Sequence, residues 1–154
     1  MSSVLAAVRP DSWNFPLLVH VVGAMILVGG LLTGASALAF ARGDARFLRL
    51  GYWTLLAVAL PGWIVMFAGA NWISAKEGWD DLPEEAQPTW IGIGWTVALP
   101  GALLLLISLI VGGIGLRRLR DGKGVRLLKV AMVIAWIILA AALVAVWAMA
   151  GKPD

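Results

Sequence analysis

The segment WIGIGWTVALPGALLLLISLIVGGIGL, residues 90–116, contains no charged side chain. It is longer than the roughly 20 apolar residues that a helix needs to cross the hydrocarbon core of a bilayer. Three further uncharged segments cover residues 16–41, 50–75 and 130–150. They lack the polar–apolar alternation of transmembrane strands, and a backbone in lipid must satisfy its own hydrogen bonds, so each segment predicts a helix. We therefore expect an all-α, integral membrane four-helix bundle.

The overall composition supports the same fold class. Hydrophobic residues make up 61% of the 154 residues and charged residues 14%, which leaves too few polar side chains to cover a water-soluble fold. Four spans with short connections use the whole chain, so a single domain over residues 1–154 is expected. The chain has no cysteine, which removes disulfides and thiolate metal sites. The net charge of +3 does not indicate a nucleic-acid partner, because the basic residues occur in short segments between apolar runs.

The positions of lysine and arginine predict the orientation of the spans. Residues 42–49 contain three basic side chains and residues 117–129 contain six, which together are nine of the twelve in the chain. Connections rich in lysine and arginine stay in the cytoplasm, so both are expected there, with the N-terminus and C-terminus outside. The predicted location is the bacterial inner membrane, crossed four times.

The connection between the second and third spans is acidic, with Asp80, Asp81, Glu84 and Glu85. Carboxylates of this kind bind hard cations, but Asp81 followed by Leu82 and Pro83 is typical of a helix N-cap and first turn. We interpret the segment as a short surface helix.

The pentapeptide Val-Ala-Leu-Pro-Gly occurs twice, at residues 58–62 and 97–101. By the rise per residue of a helix, Pro61 and Pro100 both fall near the bilayer midplane. The two spans run antiparallel, so the two copies are expected at the same depth.

Each proline removes one backbone donor, which frees the carbonyls of Ala57 and Thr96. The glycine that follows, Gly62 or Gly101, permits a kink or a close helix approach. One interpretation is a midplane site or hinge built from the freed carbonyls, as in transporters with broken helices. The favoured interpretation is a matched pair of kinks that pack together, because proline is tolerated in spanning helices.

Small residues on helix faces predict close packing between spans. The candidates are Gly23, Gly30 and Gly34 in the first span and Ser108 and Gly112 in the third. The sequence from Gly30 to Gly34 is a Gly-x-x-x-Gly pattern, which favours contacts within one chain or between chains. Other membrane subunits or a homo-oligomer are therefore expected partners, together with the lipid bilayer.

Three tryptophans, Trp63, Trp95 and Trp136, fall deep inside the predicted spans. An indole N–H in hydrocarbon needs an acceptor, so each ring is predicted to face the bundle and to have a buried partner.

His20 is the only histidine and falls about one turn inside the outer end of the first span. An ionisable residue within a span is a functional hypothesis, and imidazole binds copper and haem iron. Met25 and Met66 are expected in the same half and would add soft ligands for monovalent copper. In the structural alternative, His20 hydrogen-bonds to Asn14 or Asn71 and the methionines fill space in the core.

The first span also carries a family resemblance. Residues 20–32, HVVGAMILVGGLL, resemble the first-helix signature H-x-x-G/A-A-x-x-x-V-G-G of small bacterial membrane proteins related to the copper-resistance protein D family. The resemblance covers about thirty residues and implies copper handling or a haem-bearing membrane cytochrome, with His20 as the ligand. The chain departs from a haem site with two histidines, because His20 is alone; haem would need a methionine, an open site or a second subunit.

The favoured hypothesis is a non-enzymatic accessory or structural subunit that needs no cofactor. The alternative is a copper-handling or transport protein that uses His20, Met25 and Met66. An enzyme is disfavoured, because the four spans contain no paired carboxylates and no nucleophile beside a base.

Overall fold

The computed structural model describes residues 11–78, 83 and 87–151. The elements in order are a 3₁₀ turn at Asp11–Trp13, α1 at Asn14–Phe40, α2 at Ala45–Thr54, a π-helical turn at Leu55–Ala59, α3 at Leu60–Glu77, α4 at Thr89–Arg117, a 3₁₀ turn at Arg118–Asp121 and α5 at Val125–Gly151. Since α2, the π turn and α3 are continuous, the elements form four helices that are long and apolar enough to cross a membrane. The predicted all-α four-helix bundle is confirmed.

The second span begins earlier than predicted, at Ala45 rather than at residue 50. The carboxylate of Asp44 caps it by accepting a hydrogen bond from the backbone N–H of Arg46 at 2.7 Å, which satisfies a donor that the first helical turn leaves free. Before this cap, Arg42 and Gly43 have positive φ angles of 43° and 90°. This tight turn reverses the chain directly after α1.

The acidic connection between α3 and α4 falls mostly outside the described residues. Asp80, Asp81, Glu84 and Glu85, and with them the short surface helix predicted to start at Asp81, belong to that part of the chain. Within the described part, α3 ends at Glu77 and Gly78 follows with a left-handed φ of 73°.

The four spans do not pack equally against one another. α1 lies along α3 on one side and α5 on the other, and α5 also lies along α4. In contrast, α3 and α4 meet over a short stretch only. The buried core follows these contacts, with Leu31, Leu55, Leu105 and Leu128 almost completely enclosed.

Glycine brings the backbone of α1 close to that of the second span. The contacting pairs are Gly23 with Met66, Leu27 with Gly62, Gly30 with Ala59, Gly34 with Leu55, and Leu38 with Gly51. A β-carbon on Gly30 would lie 2.7 Å from the backbone nitrogen of Ala59, which is too close for any side chain. Between helices in lipid, van der Waals packing is one of the main sources of attraction, so this close approach stabilises the pair.

Gly112 lies at a different contact from the glycines of α1. A β-carbon there would be 3.0 Å from Cδ2 of Tyr52 and 3.4 Å from the β-carbon of Ala131. Gly112 thus adjoins both the second span and α5.

The two Val-Ala-Leu-Pro-Gly segments have different backbones, and the kinks expected at Pro61 and Pro100 stay a prediction. Before Pro61 the chain forms the π turn, and the N–H of Leu60 bonds to the carbonyl of Leu55. Pro100 instead lies inside the continuous α-helix α4. Both prolines are exposed on the outside of the bundle. The surroundings of the two glycines also differ, because Gly62 packs against Leu27 whereas a β-carbon on Gly101 would meet no atom within 4 Å.

Large apolar side chains cover the outside of all four spans. Among the most exposed are Met25 on α1 at 69%, Ile110 on α4 at 63% and Trp147 on α5 at 66%. An apolar surface of this extent is stable in lipid and not in water. The protein is therefore a multi-pass membrane protein in contact with the lipid bilayer.

Candidate functional site

His20 lies on the face of α1 that meets α3. Its ring nitrogen Nδ1 is 3.0 Å from the backbone carbonyl oxygen of Met66. Because a carbonyl oxygen only accepts, Nδ1 carries the proton and donates. In the neutral imidazole the lone pair is then on Nε2.

Gly69 allows this arrangement. A β-carbon on Gly69 would lie 2.5 Å from the backbone nitrogen of His20 and 2.9 Å from its β-carbon. The missing side chain lets α3 approach the start of α1, and this approach brings the Met66 carbonyl within reach of the imidazole. The ring is half-buried at the outside of the contact.

The structure brings His20 next to Met66 but not next to Met25. The backbone of Met66 contacts both Gly23 and the His20 ring, and the residue is partly buried against the core. Met25 is 69% exposed. Met25 follows His20 by five positions, which is nearly one and a half helical turns, so their side chains leave α1 on different faces.

Of the two partners predicted for His20 in the structural alternative, Asn14 stays a prediction and Asn71 bonds elsewhere. The side-chain N–H of Asn71 donates to the carbonyl of Phe67 at 2.8 Å, one turn earlier in the same helix. This local bond satisfies the amide and is typical of polar side chains inside spans. The contact that His20 makes instead is with the Met66 backbone.

Three aromatic rings fill the space where α3 and α4 meet. Trp63 stacks on Phe67 with ring centroids 4.9 Å apart, and the edge of Trp95 meets Phe67 at 5.6 Å. The indole N–H of Trp63 donates to the carbonyl of Ala98 at 3.2 Å. The residue that follows the first proline segment, Trp63, therefore contacts Ala98 of the second segment.

The predicted inward position of the deep tryptophans is confirmed for Trp63, which packs against the core and has a part-buried acceptor in the carbonyl of Ala98. Trp95 is half-buried against Phe67. For Trp136 the prediction is wrong, because its side chain is 38% exposed on the outer surface of α5. Depth in the membrane is set by position along the chain, but direction is set by the rotation of the helix about its axis.

The one hydroxyl that is completely enclosed among the described residues belongs to Ser108. It donates to the backbone carbonyl of Ala131 at 3.0 Å and so joins α4 to α5. A satisfied hydroxyl of this kind has a packing role.

The end of the bundle where α2 and α5 begin is strongly basic, and we call it the basic end. It contains Arg42, Arg46, Arg49, Arg117, Arg118, Arg120, Lys123, Arg126 and Lys129. Two surface cavities open here. One of about 570 Å³ is lined by Gly122, Lys123, Val125, Arg126 and Lys129; the other, of about 370 Å³, is lined by Arg49, Leu116, Arg117 and Arg120. The sequence showed the charges, but not that they surround cavities.

Within the described ranges, no three or more histidine or carboxylate side chains come together in a group suited to a metal ion. This observation does not cover methionine thioethers, which are a different class of ligand, so it says nothing about a pair formed by His20 and Met66.

The fold and these sites define a class of protein, a small helical bundle that crosses the membrane several times. Comparison with protein-family models, with curated proteins and with solved structures gives no match.

Proposed function

We propose that this chain is a non-enzymatic accessory or structural subunit that associates in the membrane with a second copy of itself or with other membrane subunits. The observation that carries the proposal is one outer face of α5. It consists of Val130, Val133, Ile137, Ala140, Val144, Trp147 and Gly151, all of them exposed. The spacing alternates between three and four residues, as in the contact seam of two helices packed side by side.

The composition of this face also favours association. Valine and isoleucine hold essentially one side-chain rotamer in a helix, so they lose little conformational entropy on packing. Ala140 and Gly151 are small and let a neighbouring backbone approach, which favours helix association in lipid.

Engineered cysteines test the proposal directly, because the chain has none of its own. Val133→Cys, Ile137→Cys and Val144→Cys place thiols on the α5 face; Met25→Cys and Leu103→Cys place them on equally exposed surfaces of α1 and α4. Oxidative cross-linking in native membranes should give one defined adduct from the α5 positions and little from the controls. Equal cross-linking from all positions would contradict the proposal. No adduct from the α5 positions would exclude a second copy on this face and leave other membrane subunits as the partner to be sought by co-purification.

The second candidate function is copper handling or haem binding at His20. It is favoured by the Nδ1 hydrogen bond to the Met66 carbonyl at 3.0 Å, because metal-binding histidines commonly donate one ring nitrogen to a carbonyl and coordinate through the other. In this hypothesis Nε2 of His20 is one ligand and the thioether of Met66, the residue whose carbonyl the ring bonds, is the second. Met25 does not join them on this face.

Metal and haem analysis of the detergent-purified chain separates the two candidates. Stoichiometric copper or a Soret band that disappears in His20→Ala, but persists in Met25→Leu, would support a site at His20 and Met66. This function would be excluded if the purified protein contains no metal or haem, does not bind added Cu(I), and has the same metal content and absorption spectrum as the His20→Ala variant.

We also propose that the basic end faces the cytoplasm of a bacterial inner membrane, on the basis of its nine basic residues. Ser12→Cys and Lys123→Cys lie at opposite ends of the bundle. A membrane-impermeant maleimide should label the first in intact cells and the second only after permeabilisation. The reverse pattern would invert the topology.

A further inference from the structure

The cavity lined by Arg49, Arg117 and Arg120 is formed by two helices and by the turn that follows the second of them. Arg49 belongs to α2, Arg117 is the last residue of α4, and Arg120 is in the 3₁₀ turn that follows. Leu116 forms the apolar part of the lining. Three arginines, from α2, from α4 and from the turn that follows α4, therefore line an open surface cavity of about 370 Å³.

Tyr52 fixes the distance between these helices. Its ring lies over two glycines of α4: a β-carbon on Gly112 would be 3.0 Å from Cδ2 of Tyr52, and one on Gly113 would be 3.0 Å from its hydroxyl oxygen. Tyr52 is about one turn from Arg49, and Gly113 is one turn from Arg117. The packing inside the spans thus sets the opening between the arginines before any ligand binds.

The basic end has few negative charges of its own among the described residues. Asp44 and Asp121 are the two carboxylates there, against nine basic side chains. Asp44 is already the cap of α2, where it accepts from Arg46. An anion in the cavity would relieve the repulsion between the guanidinium groups, and phosphate matches the planar fork of arginine with paired hydrogen bonds.

The surface next to the cavity on the bilayer side is apolar. Trp53 follows Arg49 by one turn and is 54% exposed, while Ile114 and Ile110 precede Arg117 by about one and two turns and are 42% and 63% exposed. A ligand with an anionic head and long hydrocarbon chains would contact both regions at once. A free phosphate ion would use only the arginines.

We propose that this cavity binds the phosphate of an anionic phospholipid, with Arg49, Arg117 and Arg120 around the headgroup and the acyl chains along Trp53, Ile114 and Ile110. Basic cavities between spans, at the depth of the headgroups, are suited to such lipids. The site is independent of the α5 face and of His20.

The test uses the full chain in detergent, with lipid binding followed by native mass spectrometry. Phosphatidylglycerol and phosphatidylcholine of identical acyl chains, and inorganic phosphate alone, are the three probes. Arg49→Gln with Arg117→Gln removes two of the three guanidinium groups. Arg126→Gln with Lys129→Gln, from the other basic cavity, is the matched control with the same change in net charge.

The wild-type chain should bind phosphatidylglycerol at least about tenfold more tightly than phosphatidylcholine, since a hydrogen bond between charged groups is worth about one factor of ten or more. The Arg49/Arg117 variant should lose that preference, while the Arg126/Lys129 variant keeps it. Equal loss in both variants would mean general charge attraction and overturn the proposal. So would equal binding of the two lipids, or full displacement of phosphatidylglycerol by millimolar inorganic phosphate. The comparison of the two lipids on the wild-type chain needs no variant, so the proposal stays testable if a variant fails to fold.

Discussion

Gly62 lies so close to Leu27 that a β-carbon on the glycine would be 2.5 Å from the backbone nitrogen of the leucine. Gly101 holds the same position in the second Val-Ala-Leu-Pro-Gly segment, yet a β-carbon there would meet no atom within 4 Å. The same five residues thus occur once at a tight helix contact and once in open space. The pair provides a matched test of what glycine does in this bundle.

Gly62→Ala should lower the free energy of unfolding by about 1–3 kcal/mol, the usual cost of overpacking, because the Leu27 backbone has to move. Gly101→Ala should raise it by about 0.5–1 kcal/mol, since alanine is the better helix former. SDS titration in mild detergent, followed by circular dichroism, measures both. Similar losses of stability in the two variants would show that the glycine is needed within the Val-Ala-Leu-Pro-Gly segment itself and not for the contact with Leu27.

Trp63→Phe removes the hydrogen bond to Ala98 and keeps an aromatic ring beside Phe67. The expected loss is about 0.5–1.5 kcal/mol, the net value of a typical hydrogen bond. Trp136→Phe removes an exposed indole and should change the free energy of unfolding by less than about 0.5 kcal/mol, as surface substitutions do. An equal effect of the two substitutions in the same unfolding experiment would argue against the bond between α3 and α4.

Ser108→Ala should lower the free energy of unfolding by about 0.6 kcal/mol and by no more than about 1.7 kcal/mol, the range measured for hydrogen bonds between membrane helices. The control is Thr96→Val, which also deletes one hydroxyl. Thr96 is exposed and donates to Ile93 of its own helix, so its loss leaves the α4–α5 contact intact. A larger effect at Thr96 than at Ser108 would contradict the packing role of Ser108.

The four spans were predictable because charge is excluded from hydrocarbon, and the uncharged segments mark that boundary along the chain. The sequence did not predict which face of each span is turned to lipid and which to the core. In a soluble helix, polar residues mark the outer side; here lipid and core are equally apolar, so α5 carries no such mark. This is why the sequence predicted an inward Trp136, and why it did not indicate the exposed face that includes Ile137.

The neighbours of His20 show the same limit. A polar residue inside a span needs a partner, and the sequence predicts that much. Which partner it finds depends on how α3 is placed against α1. This placement is set by Gly69, which follows His20 by 49 positions in the chain. The acceptor is a backbone carbonyl, that of Met66, and a carbonyl has no signature in the sequence.

The π turn at Leu55–Ala59 leads to a prediction about chain length. A π turn contains one residue more than an α turn in the same place. Deleting Ala57, which is exposed, should convert the turn to α-helix and leave both flanks facing α1, with Leu55 still against Gly34 and Gly62 still against Leu27. Pro100 already occupies a continuous α-helix, so a proline at this point of the second span does not prevent the change.

Deleting Ile64, which is 53% exposed, is the control, because it removes a residue from regular helix in α3. Everything after it would turn by about 100° relative to the residues before it, which moves Met66 and Gly69 off α1. The Ala57 deletion should therefore give a folded, monodisperse protein with helicity close to wild type, measured by circular dichroism and size-exclusion chromatography. The Ile64 deletion should aggregate or unfold at lower SDS. If both deletions fail alike, the extra residue is needed for packing, and the π turn is part of the contact with α1 rather than an insertion that the helix absorbs.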